Sequence, residues 1–265
     1  MYTNYYPSSQ LFHASVPLLM GTRLDMLLFG EDPAALDILC SRMEIEIRRV
    51  ERLLNRFDPE SALYRVNRDA AICPVGMAGE LWTVLQDCRR YFEWTDGCFD
   101  ITRGRFDAVE FDDVNRTVFL KGRADFDLGG YGKGYALRQL RRLLEEEAVV
   151  RALINFGDSS VLAVGTHPHG DCWPVGIDNP CTGERTGVMR LRDCSLSVSG
   201  NRPARPAHIV NPETGVCVTG RKTVAVAAVD PVDAEALTTA LMVAVPGKVE
   251  NIVNRFKIIE YKLYE

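Results

Sequence analysis

Asp127-Leu128-Gly129-Gly130-Tyr131-Gly132-Lys133-Gly134 stands between a β-like run and a helical one, and the fold turns on it. Before it, residues 117–121 read as a strand that leads through Ala124-Asp125-Phe126. After it, apolar residues recur at helical spacing to about Glu147, so the period of the chain changes from strand to helix across the glycines. Glycine keeps no side chain between a ligand and the backbone, and Lys133 sets a positive charge beside that backbone. Asp127 can accept a hydrogen bond from a ligand hydroxyl or amide, and the Gly130 carbonyl is an oxygen of the kind a hard cation takes. The same residues equally make a tight turn with a capping aspartate. Their spacing fits neither Gly-x-x-x-x-Gly-Lys-Ser/Thr nor Gly-x-Gly-x-x-Gly, which excludes a P-loop ATPase and an ordinary Rossmann dinucleotide site.

Toward the N-terminus, residues 14–29 read as a strand. Asp32-Pro33 then supplies an N-cap with proline in the first turn, followed by Leu36, Leu39, Met43, Ile47, Val50 and Leu54 on one helical face. The opposite face carries Arg42, Glu46, Arg48, Arg49, Glu51 and Arg52 and reads as solvated surface laced with weak ion pairs. A second helix is expected over 78–94, stopped by Thr95-Asp96-Gly97.

Toward the C-terminus, short β-rich runs fall at 149–155, 160–164, 173–177, 188–191, 195–199 and 223–229. Asp230-Pro231 opens a helix to Val243, a short helix follows near 249–255, and a strand at 257–264 closes the chain. No linker or repeat divides it, so the expectation is a single α+β unit over 1–265 with interleaved halves.

Composition narrows the function. Thirty-one basic against 36 acidic residues leave a net charge of −5, so no general basic field is present to hold nucleic acid or an anionic membrane. No apolar run approaches the roughly 20 residues of a membrane span, and no secretory signal is visible at the N-terminus. Eight cysteines include no Cys-x-x-Cys pair, and most stand in apolar runs, which suggests buried free thiols in a reducing compartment, the cytoplasm.

Two further segments carry chemistry. In the helix after Asp230, Glu235 and Thr239 lie four apart, with Thr238 one step round, and either present oxygens to one cation or pack as an ordinary helix face. The hydroxyl-rich run Ser195-Leu-Ser-Val-Ser199 leads through two arginines to His208, which is either a general base or a loop imidazole. His167 and His169, on either side of Pro168, read as an exposed turn.

Taken in order, seven segments resemble the ApbE family of flavin transferases. They are Met20-Gly21-Thr22, Phe99-Asp100-Ile101-Thr102, Asp127 to Gly134, Asn155-Phe156-Gly157, Ser199-Gly200, His208 to Gly215 and Glu235 to Ala240, and they span nearly the whole chain. The resemblance implies an ApbE-like, T-fold-related arrangement of mixed sheets and packed helices. It implies an enzyme that binds FAD with Mg²⁺ and moves the FMN moiety to a Ser or Thr hydroxyl of a partner flavoprotein, releasing AMP. By matched position, Met20, Phe57, Cys98, Phe99, Asp100, Asp127, Lys133 and Ile209 would contact FAD. The Gly130 carbonyl, Glu235 and Thr239 would hold the cation, and His208 would assist as base for the acceptor hydroxyl. A metal-dependent FAD pyrophosphatase and a non-catalytic flavin-binding protein are the alternatives. The chain departs from the family where Glu235 replaces a usual Asp, where Asn155-Phe-Gly-Asp-Ser-Ser160 replaces Asn-Ala-Gly-Gly-Asp, and where Asn211 replaces an aspartate. The stretch between Thr102 and Val118 is also short and lacks the family's Trp-Gly-Phe.

Overall fold

The computed structural model describes residues 1–77, 79–179, 182–201 and 209–264. Its frame is an eight-stranded antiparallel sheet. In spatial order the strands are β1 (Tyr2–Tyr6), β2 (Leu11–Leu19), β3 (Thr22–Phe29), β7 (Ala152–Phe156), β8 (Ser160–Val164), β11 (Cys194–Gly200), β12 (Thr223–Ala228) and β13 (Ile258–Tyr264). The strands follow chain order across the sheet, β1–β3 from the first half of the sequence beside β7, β8, β11, β12 and β13 from the second, so the two halves share one sheet and meet at the β3–β7 pair but do not alternate within it as the expected interleaving would require.

Residues 14–29 are not one strand. They form a hairpin in which β2 and β3 pair antiparallel, Ala14 opposite Met26, and reverse at Met20 and Gly21, both at positive φ. Glycine tolerates that conformation and methionine rarely adopts it, so the turn is not marked by the usual Asn-Gly or Asp-Gly signature. The alternation of Phe12, Ala14 and Val16 on β2 with Leu24, Met26 and Leu28 on β3 directs six side chains toward the helices.

Three helices cover that face. In α1 (Pro33–Leu54), the Asp32 carboxylate accepts from the amides of Ala34 (2.9 Å) and Ala35 (3.1 Å), and the predicted apolar face is buried. Its polar face carries ion pairs of Arg48 with Glu44 and of Arg49 with Glu46 and Glu80, in line with a solvated surface. Next comes α4 (Gly132–Glu146), and beyond it α5 (Pro231–Val243), which is buried almost all round. Gly134 allows α4 and α5 to touch: a Cβ there would lie 2.7 Å from the Pro231 carbonyl and 2.9 Å from Glu235 Cβ. Arg138 locks the same junction, bonding Asp230 with two nitrogens (3.0 and 2.8 Å) and Asp87 with one (3.2 Å).

The other face is covered by the hairpin of β9 (Trp173–Asp178) and β10 (Arg185–Leu191), with Trp173, Ile177, Met189 and Leu191 packed on Leu196 and Ala225. β10 starts three residues before the expected 188. His169 is exposed as expected, whereas His167 is half-buried with its ring edge-to-face with Trp173 (5.2 Å).

Smaller elements complete the chain: α2 (Ala62–Ala70), α3 (Glu80–Trp94), α6 (Pro246–Val253) and a sheet of β4 (Val75–Gly76), β6 (Thr117–Leu120) and β5 (Val109–Asp112). α6 begins at Pro246, which sets its first turn, and ends at Val253, earlier than the expected 249–255. Of the described cysteines, all free, Cys40, Cys88 and Cys194 are buried, Cys98, Cys172 and Cys217 are half-buried and Cys73 is exposed, so fewer are buried than their apolar neighbours suggest. No described helix is long and apolar enough to cross a membrane.

Candidate active site

The glycine turn lies between β6 and α4, exposed at Gly129 and buried at Leu128, Tyr131, Gly132 and Gly134, and the elements around it bring distant stretches of chain together. The N-cap residue of α4, Tyr131, makes no side-chain capping bond; its own amide and that of Gly132 both donate to the Leu128 carbonyl (3.0 and 2.8 Å), and the positive end of the helix dipole lies at the turn. Lys133 stands in the first turn. Its ammonium donates to Ser159 Oγ (2.6 Å) and Ser160 Oγ (2.8 Å) and pairs with Glu235 Oε1 (2.9 Å).

Glu235 is 5% exposed, and its carboxylate is fully held. Ser160 Oγ (2.7 Å) and Ser197 Oγ (3.0 Å) both donate to Oε2, while Lys133 neutralises Oε1. The two serines are register partners in the β8–β11 ladder and point to the helix side. A carboxylate this deep requires both the charge and the hydrogen bonds. One turn on, Thr239 Oγ1 donates to the Glu235 carbonyl (3.3 Å) and keeps its lone pairs. Gly130 lies against it, since a Cβ there would fall 2.8 Å from Thr239 Oγ1. Gly130, Glu235 and Thr239 are thus brought together by the approach of α5 to the turn.

That set fits a hard divalent cation in chemistry, with one carboxylate, one hydroxyl and a neighbouring backbone. Only a close-packed glycine leaves room beside Thr239, and the buried carboxylate carries a charge that a cation could satisfy in place of Lys133. Among the described residues no cluster of three or more His, Cys, Asp or Glu side chains is placed to hold a metal, so any cation here relies on non-carboxylate oxygens and on its substrate.

On the other side of the turn, Asp127 Oδ1 accepts from the Gly129 amide (3.0 Å) and Oδ2 from Arg56 Nη1 (2.7 Å). Arg56 also bonds Asp125, which Arg103 shares (3.0 Å), so two arginines and two aspartates interlock. The Arg56 guanidinium lies 5.2 Å from the centre of the Phe57 ring, and Phe57 is 80% exposed, an aromatic face available for stacking. Asn67 clamps the strand leading to Asp127 through both backbone groups of Phe126 (2.9 and 2.8 Å). Arg56 and Asn67 were not among the residues singled out from sequence, although Arg56 is the immediate neighbour of Phe57.

The remaining expected residues divide. Met20 reaches the turn: a Cβ on Gly132 would lie 3.0 Å from its Cε. Residues 98–104 run past Asp127, whose amide donates to the Ile101 carbonyl (2.6 Å), and Gly104 abuts the Pro212 carbonyl of the 211–215 turn. Asp100 closes its own loop, accepting from the Thr102 amide (2.7 Å) and hydroxyl (2.6 Å) and from the Gly104 amide (2.7 Å). Phe99 is buried against Tyr91 (5.7 Å between rings), so its ring belongs to the core and leaves only its backbone for a ligand. Cys98 is half-buried and Ile209 buried, both in the apolar layer under α5 and α6. Asn155 closes the β7–β8 turn by donating to Asp158 (3.0 Å), and its own Oδ1 is buried with no partner among the described residues. His208 lies outside the described residues.

Two surface concavities, of about 570 Å³ around Phe92, Phe106 and Phe111 and of about 350 Å³ around Asp87, Tyr135 and Arg138, are lined by other side chains. Charge and hydrogen bonding, more than hollow volume, mark the site at Lys133.

Comparison with known proteins places the chain in a family. The ApbE family model matches residues 20–111 and 103–262, and the chain belongs to the ApbE family. It is 25% identical over 92% of its length to a FAD:protein FMN transferase of Klebsiella pneumoniae, covering 82% of that protein. It is 26% identical over 87% of its length to one of Treponema pallidum, covering 78% of that protein. The fold superposes on the flavin transferase ApbE of Vibrio cholerae with a TM-score of 0.79 at 19% identity, covering 95% of this chain and 96% of that one. It superposes equally well, at 22% identity, on the ApbE protein of Thermotoga maritima, covering 92% and 90%.

Proposed function

We propose that this chain is an FAD:protein FMN transferase that moves the FMN moiety of FAD to a Ser or Thr hydroxyl of a partner flavoprotein, with AMP as the leaving group. The observation that carries the proposal is the meeting of the glycine turn with α5, where Lys133, Glu235, Thr239 and Gly130 gather at the N-terminus of α4. Phosphoryl transfer asks a protein mainly to align its reactants and to neutralise charge on the diphosphate, and these groups are suited to both.

In this reading Lys133 and the α4 amides grip the diphosphate, Phe57 and Met20 flank the flat ring, and Asp127 accepts from a ring or ribose donor. Gly130, Glu235 and Thr239 hold Mg²⁺, which when bound withdraws charge from the phosphoryl oxygens. The role of His208 as base for the acceptor hydroxyl rests on the sequence resemblance. Free thiols, buried or not, suit a cytoplasmic setting.

Incubation with FAD, Mg²⁺ and candidate flavoproteins, followed by in-gel flavin fluorescence and measurement of AMP, tests the proposal. Fluorescent acceptor and equal AMP are expected, both lost in Glu235→Ala. AMP release without any acceptor would instead make the protein a pyrophosphatase.

A further inference from the structure

Lys133 is the point at which the two components of the proposed site compete. Its ammonium is paired with Glu235 Oε1 at 2.9 Å, and the Glu235 side chain is almost wholly buried. Each component binding alone faces a penalty. A divalent cation at Gly130, Glu235 and Thr239 must share the carboxylate with a positive charge 2.9 Å away, or push that charge off toward nothing. An FAD diphosphate that draws Lys133 away leaves a buried carboxylate with no counter-charge, which is costly. When both arrive, the cation satisfies Glu235 and the diphosphate satisfies Lys133.

The resting position of the ammonium is built as well. Ser159 and Ser160 accept its two other hydrogen bonds at 2.6 and 2.8 Å. Ser160 is committed to Glu235, but Ser159 has a single strong partner in Lys133 and lies in the β7–β8 turn, where Gly157 and Asp158 take positive φ. Ser159 therefore serves to hold the ammonium where it is.

We propose that Lys133 has two stations, one on Glu235 and Ser159 and one on the diphosphate, so that cation and dinucleotide each open the place of the other, with Ser159 as the positioning residue of the first station. This rests on the function proposed above, since it takes the cation and diphosphate from it.

The test is calorimetric titration of Mg²⁺ alone into the nucleotide-free protein, which needs no turnover. Lys133→Met removes the competing charge and is expected to bind Mg²⁺ about tenfold more tightly than wild type, with Ser159→Ala, which keeps the charge but loosens it, about threefold tighter. Ser159→Ala lies on a surface turn and carries the test alone if Lys133→Met does not fold. Glu235→Gln should bind none. Equal or weaker Mg²⁺ binding by Lys133→Met and Ser159→Ala, with measurable binding by wild type, overturns the two-station proposal while leaving the cation site standing. No Mg²⁺ binding by any protein, with or without FAD, overturns the cation site and the two-station proposal together.

Discussion

Ser160 and Ser197 face each other across the β8–β11 ladder and donate to the same oxygen of Glu235. Strand register and site geometry are thus one arrangement: a slip of either strand by one residue would turn its hydroxyl away from α5. Ser197→Ala should leave the buried carboxylate short of a donor and lower stability by about 1–3 kcal/mol. Urea unfolding would record this as a lower midpoint at unchanged slope; an unshifted midpoint would mean that a water replaces the hydroxyl.

Arg56 links Asp125 to Asp127 and backs the exposed Phe57 ring. Arg56→Ala should raise the KM for FAD by about tenfold, the equivalent of one charge-assisted hydrogen bond, with a smaller effect on kcat. Arg56→Lys should not restore it, because a single ammonium cannot fork to two carboxylates. Steady-state kinetics at fixed acceptor would decide, and a loss confined to kcat would remove Arg56 from dinucleotide binding.

Two glycines in the first turn of α4 should respond differently to alanine. At Gly134 the new methyl meets backbone and the Glu235 stem within 3.0 Å, so α4 and α5 must part at a cost of about 1–3 kcal/mol. At Gly132 it meets only the tip of Met20, which can swing aside. Thermal melts of the two variants should therefore separate clearly, and equal melting temperatures would contradict the packing described.

Glu80 is held below the usual glutamate range, chiefly by its hydrogen bonds from Arg49, with Tyr135 assisting and burial opposing. A carboxyl whose folded pKa lies below its unfolded one contributes stability that is complete above the unfolded value and is lost as pH falls through the folded one. Glu80→Gln should accordingly be less stable than wild type near neutrality, with the difference shrinking on acidification below the ordinary glutamate pKa of about 4.3. Melting curves in a pH series measure this; a constant difference would point to packing instead of charge.

Burial pushes the Cys40 thiol up to about 12, with Asp37 adding to it, and raises Cys88 well above its ordinary value, whereas Cys73 is exposed. Alkylation in native buffer should mark Cys73 first and leave Cys40 and Cys88 until the protein unfolds, as peptide mass spectrometry would show.

Much of the fold was readable because its signals are local. Asp32-Pro33 and Asp230-Pro231 each cap a helix through the aspartate side chain, and the glycine turn does open helix α4, although the strand before it, β6, ends at Leu120 and leaves irregular chain up to the turn. The β2–β3 hairpin escaped because its reversal at Met20 depends on the surrounding sheet to hold a methionine at φ 46°. The helix α2 escaped because its nine residues bury only Leu63, Val66 and Ala70, too few to stand out against a charged surface. For the site, the sequence supplied Lys133, Glu235 and Thr239 but not their bonds. Nothing local brings Ser160 to Glu235 75 residues away, or marks Ser197 above Ser195 in the same run. Phe99 shows the converse, since an aromatic beside an aspartate reads alike whether it faces a ligand or, as here, Tyr91.

Glu235 is carried on a helix with hardly any exposed side and is tethered to two neighbouring strands of the central sheet. Amide protons of β8, β11 and α5 should consequently be among the last to exchange with deuterium, while those of residues 98–104 and 211–215 exchange early. One wall of the site then opens only when the whole molecule does, and the other can breathe to admit a bulky dinucleotide without disturbing it.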